Sequence, residues 1–147
     1  MGCHGRVWNQ LADPDEVDAA TISSIGSYTA GVTLPSSVTD YADAVSAFDE
    51  RHRRLFYETL AMNLTVSARA VWSDEALSDS EKVDQLKWLN EILHRVIGKL
   101  RTPRSWPDAE FFSGVLQARV NESPAIAGHV DWAVKQSFAF ADVQPLV

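Results

Sequence analysis

Two short stretches carry residues with the spacing of metal ligands. "DERHRRLFYETLAMN" (Asp49 to Asn63) places Asp49 three residues before His52, and "NEILHRVIGKLR" (Asn90 to Arg101) places Glu91 three residues before His94. On a helix, residues three apart share a face, so each acid and histidine can reach one ion. The chemistry on offer would be metal-assisted.

That spacing is shared with di-iron helical bundles, which take an acid–histidine pair from each of two helices and two further inward glutamates. Direction argues against it here. At about 100° per residue, His52 falls in the middle of an apolar stripe and Asp49 on its margin. The other helix has its apolar centre through Leu86, Leu93 and Leu100, which leaves His94 roughly 100° off and Glu91 farther round. If the two helices form a hairpin with Trp72 opposite Asp79, His94 lies near Tyr57, roughly 7–8 Å along the axis from the level of His52. Glu58 is the nearest extra acid and points away. The expectation is no metal and no cofactor. His52 is expected to be a core histidine with a hydrogen bond and His94 a surface one. A metal-binding or di-iron-like bundle enzyme on Asp49, His52, Glu91 and His94 is the alternative.

Charge offers a second candidate. Arg51, Arg53, Arg54, Arg95, Lys99, Arg101 and Arg104 gather toward one end of the hairpin, and Asp74, Glu75, Asp79, Glu81 and Asp84 toward the other. Acids at helix starts and bases at helix ends are what the helix dipole favours, which accounts for Glu81 and Lys99. It does not account for Arg51 to Arg54, which read as lying mid-helix. The basic end is therefore a candidate site for an acidic partner or an anion. Asn63 and Asn90 lie near the apolar faces at nearly one level. They are candidate buried polar residues that pair and fix the hairpin register, since an unpaired buried amide costs roughly 1–3 kcal/mol.

The elements that position these residues follow from start and stop signals. "DPDE" at Asp13 opens a first helix, which the Gly31–Ser37 loop ends. A long helix runs from about Thr39 to Trp72, with Tyr41, Val45, Phe48, His52, Leu55, Thr59, Met62 and Val66 on one stripe. Ser78 and Glu81 form a capping box for the next helix. Arg101 to Pro107 is a break. Pro107 opens a helix holding Phe111, Phe112, Val115, Leu116 and Val120, and Ser123–Pro124 starts the last. No stretch alternates with a strand's period of two. The expectation is an all-α bundle of four or five helices around a long antiparallel hairpin, one domain over 1–147, with 1–12 loosely packed.

Composition narrows the function classes. With 147 residues and 46% hydrophobic content, the chain can bury a core as one domain. A net charge of −7 argues against nucleic acid, which demands a broad basic surface. The single cysteine, Cys3, excludes an internal disulfide and fits a reducing cytoplasm. No apolar run is long enough to span a membrane, no leader pattern is present, and Arg6 stands where a myristoylation motif wants Ser or Thr. Phosphate loops, HExxH, GxSxG and CxxC are absent. Trp88 lies off the apolar stripe of its helix, and Leu60, Leu64 and Val71 make a second apolar side on the long helix. Both need a covering element or a partner chain, so a homodimer is expected, with Trp88 at the interface. Together these features read as a non-enzymatic interaction or regulatory protein that self-associates and presents a basic end to an acidic protein partner.

Overall fold

A computed structural model describes residues 38–103 and 106–143. The fold is all-α, and no strand occurs among the described residues. Helix α1 spans Val38–Ala47, α2 spans Glu50–Ser73 and α3 spans Asp79–Arg101. A π-helix at Glu110–Leu116 runs into α4 (Gln117–Glu122), and a 3-10 turn at Pro124–Ile126 leads into α5 (Ala127–Val143). The expected N-terminal helix from Asp13, the Gly31–Ser37 loop and the 1–12 segment lie outside the described residues.

The long antiparallel hairpin forms as expected, with α2 packed against α3. Its turn is set by capping chemistry. The Ser78 hydroxyl accepts from the Glu81 amide at 3.1 Å, and the Glu81 carboxylate accepts from the Ser78 amide at 2.9 Å. Two otherwise orphaned donors are satisfied reciprocally, which fixes where α3 begins.

One boundary differs from the expectation. The helix expected from Thr39 to Trp72 is broken at Phe48 and Asp49. Asp49 takes an extended conformation (φ −66°, ψ 173°), and its Oδ1 accepts from the His52 amide at 2.9 Å. An aspartate can satisfy a free helix-end amide better than it can continue a helix. The arginines at 51, 53 and 54 therefore occupy the first turns of α2, not the middle of a helix.

Helix α2 also packs along α5. Leu60, Leu64 and Val71 are buried to 1% exposure or less within this chain. The second apolar side of the long helix is thus covered without a partner. Between α2 and α5 runs a polar seam. Thr59, Asn63 and Ser67, spaced four apart on α2, are fully buried. Asn63 Nδ2 donates to Ser137 Oγ at 3.0 Å, and Ser137 donates to the Ala133 carbonyl at 2.6 Å. The partner of Asn63 is therefore Ser137 on α5. Asn90 is exposed on α3, so the expected asparagine pair does not form. The pattern of α3 alone puts Asn90 at a stripe edge, and α5 gives Asn63 a closer hydroxyl.

Candidate functional site at the basic end

The break at Asp49 builds this end of the molecule. By capping α2, Asp49 starts a helix whose first turns hold Glu50, Arg51, Arg53 and Arg54. Cations there oppose the positive end of the helix dipole, so helix electrostatics does not explain them. From the other side comes the last turn of α3, with Lys99 and Leu100, followed by Pro103. These residues and Tyr57 line a cavity of about 220 Å3.

Beneath the cavity lies a buried carboxylate, Asp108, at 3% exposure. Four side chains from three helices converge on it. Tyr57 donates its hydroxyl to Oδ1, and Lys99 Nζ stands 3.2 Å from the same oxygen. Ser46 donates to Oδ2 at 3.0 Å, and Arg53 Nη1 is 3.6 Å from it. Lys99, also 3% exposed, further donates to the Trp106 carbonyl. Its ammonium lies 5.4 Å from the Tyr57 ring centroid and 5.1 Å from that of Trp106. Burial works against ionising Asp108, but the Tyr57 hydroxyl and Lys99 outweigh it and hold the carboxyl below its ordinary range. Burial, and then the Asp108 charge, push the Tyr57 hydroxyl far up, so it stays protonated as a donor. The clasp is a buried ion pair with its remaining lone pairs satisfied, the condition under which such pairs persist.

The seven expected basic residues divide. Arg51, Arg53, Arg54 and Lys99 line the cavity. Arg54 also pairs with Glu58 at 3.4 Å. Arg95 is turned away to Glu91 at 2.9 Å, Arg101 is exposed beyond the lining, and Arg104 lies outside the described residues. Lys99 stands at the helix end, as its sequence position implies, and is buried there, because Asp108 and the Trp106 carbonyl draw it inward. Sequence reading missed Asp108, since an acid after Pro107 looks like an ordinary helix-start residue. Nothing in the spacing links position 108 to positions 46, 53, 57 and 99.

The acid–histidine pairs are occupied otherwise. His52 Nδ1 lies 2.8 Å from Asp49 Oδ2, and its side chain is mostly covered, at 14% exposure against 42% for Asp49, so His52 has the expected hydrogen bond at the margin of the core. Glu91 accepts from Arg95 and lies 3.7 Å from Arg119, while His94 is exposed. Among the described residues, no three His, Cys, Asp or Glu side chains come together as a metal ion would require. Trp88 is half-buried against the core. Lys87 sits 4.7 Å from its ring centroid and Arg119 of α4 sits 5.7 Å from it. Cover for Trp88 therefore comes from its own chain, which removes the reason for placing it at an interface.

No family model, curated protein or solved structure matches the chain.

Proposed function

We propose that this is a non-enzymatic helical binding protein that holds an acidic group of a partner in the cavity at its basic end. The observation that carries the reading is the lining of that cavity, where four cations face one acid, Glu50. Two of the cations, Arg53 and Lys99, share Asp108. The Arg51 guanidinium has no hydrogen bond or ion pair among the described residues. Guanidinium groups suit this role, because their planar donors match carboxylate and phosphate oxygens. Size points to a presented group. Small-molecule sites run to roughly 300–1,000 Å3, so a cavity of about 220 Å3 suits a side chain or a lone anion better than a whole metabolite. The ionisable groups around it support binding more than catalysis, since Tyr57 is held protonated and Asp108 is held ionised in the clasp.

A cytoplasmic setting fits the single cysteine and belongs to the same proposal. Among the described residues, no helix is long and apolar enough to cross a membrane.

Titration calorimetry with polyglutamate and with inorganic phosphate tests the reading. Saturable binding is expected at low salt, falling as salt is added, because exposed charges are screened within roughly 10 Å at 0.1 M. The double variant R51Q/R54Q should bind at least about tenfold more weakly, a loss of roughly 1.4 kcal/mol. Absence of saturable binding to either probe at low salt overturns the proposal.

A further inference from the structure

The end of the hairpin opposite the cavity is its chemical complement. Around the α2–α3 turn stand Asp74, Glu75, Asp79, Glu81 and Asp84. Asp74 accepts from the Ala76 amide and Glu81 serves the Ser78 cap. The carboxylates of Glu75, Asp79 and Asp84 have no hydrogen bond or ion pair among the described residues, and all three residues are exposed. Beside them lies apolar surface. Trp72 and Val83 are each 64% exposed, with Lys82 5.7 Å from the Trp72 ring centroid. An exposed tryptophan among free carboxylates suits a surface of arginines with apolar neighbours, since guanidinium pairs with carboxylate and stacks on indole. The basic end offers Arg51 and Arg54 with Leu100 and Pro103.

The two ends cannot meet within one molecule. They are held apart by the 24 residues of α2, a rod of roughly 36 Å. The dipole of α3 favours Asp79 and Glu81 at its start and Lys99 and Arg101 at its end, but that of α2 favours neither Arg51, Arg53 and Arg54 at its start nor Asp74 and Glu75 after its end. A molecule of net charge −7 repels its copies in most orientations. An approach of acidic turn to basic end brings opposite charges together.

We propose that the partner seated at the basic cavity is a second copy of this chain, bound head to tail, with a turn carboxylate from Glu75 or Asp84 entering the cavity and Trp72 packing at its rim. The inference rests on reading the cavity as an anion site. Such an interface uses two different patches, so each copy keeps one free patch at either end of the assembly, and growth continues until a ring closes.

Light scattering of the full chain tests this with two charge-reversed variants, R51E/R54E at the basic end and E75K/D84K at the turn. At low salt the wild-type mass should exceed the 16.3 kDa of one chain and rise with concentration. In about 1 M salt, where the Debye length is roughly 3 Å, it should return to one chain. Each variant alone should stay monomeric. An equimolar mixture of R51E/R54E and E75K/D84K should associate, because the intact turn of one meets the intact basic end of the other and the two reversed patches again carry opposite charge. A wild-type chain that is monomeric at high micromolar concentration and low salt overturns the inference. So does a mixture that stays monomeric, or a single variant that still associates. If the wild type is monomeric yet still binds phosphate or polyglutamate, the anion site survives and only its occupant is wrong.

Discussion

Tyr57 and Asp108 stand 51 residues apart in the chain and are joined by a hydrogen bond of 2.5 Å between the hydroxyl and Oδ1. Because that carboxylate also holds Ser46, Arg53 and Lys99, one short bond ties α1, α2 and α3 to the segment before the π-helix. Removing it by Tyr57→Phe leaves a buried charge with one donor fewer. A loss of about 1–3 kcal/mol is expected, read as a fall of several degrees in melting temperature. Asp108→Ala should cost more, about 3–5 kcal/mol, because Lys99 is then buried without its partner charge. Melts that match wild type for both variants would show that the clasp does not hold these elements together.

The same clasp sets an acid limit. Asp108 ionises more readily folded than unfolded, so its contribution is fully present above the ordinary carboxyl range near pH 4 and is lost as pH falls through the lowered folded value. Asp108→Asn should be less stable than wild type at neutral pH, and the gap between them should narrow below about pH 4. Parallel melting curves across that range would contradict the assignment.

His129 should act at milder pH. It is half-buried on α5, and its Nδ1 has no hydrogen-bond partner. Burial lowers its pKa, with Asp74 opposing, so the unfolded chain takes up the proton first. Stability is then complete above the ordinary histidine value near 6.5 and declines as pH falls below it. Wild type should lose melting temperature between about pH 7 and pH 5.5, and His129→Gln should lose less. Equal losses would assign the slope to other groups.

The polar seam offers a test of opposite sign. Asn63 Oδ1 is buried without a partner, while Nδ2 depends on Ser137. Ser137→Ala alone orphans the amide and should cost about 1–3 kcal/mol. The double change N63L/S137A removes both polar partners at similar volume and should be neutral or stabilising. Chemical denaturation of the three proteins decides. A double variant worse than Ser137→Ala alone would mean that the seam contributes through contacts other than this bond.

Much of the fold was legible because it follows from local rules. Ser78 with Glu81, the Ser123–Pro124 start, and the apolar residues of α3 and α5 each announce themselves within a few positions. The break before Glu50 was not, since Phe48 and His52 keep the helical spacing across it and only the competing Asp49 side chain interrupts the backbone. Charge segregation along the hairpin was legible for the same reason as the hairpin itself. What joins distant segments was not: Asn63 to Ser137 and Lys99 to Asp108 depend on how α5 and the segment around Pro107 fold back. Arg119 over Trp88 belongs with them.

The π-helix at Glu110–Leu116 follows directly on Asp108 and buries Phe111, Phe112 and Leu116. A π turn holds more chain per revolution than an α turn, closing its hydrogen bonds five residues on instead of four. Length is therefore stored at this point. One residue can be given up from the exposed side, at Ser113 or Gly114, by rewinding to an α turn, with the aromatic anchors before it and α4 after it kept in phase. Elsewhere in these helices the same deletion would rotate every following side chain by about 100°. The stretch beside the clasp is thus a place within the helices where the chain can change its length and keep its wiring.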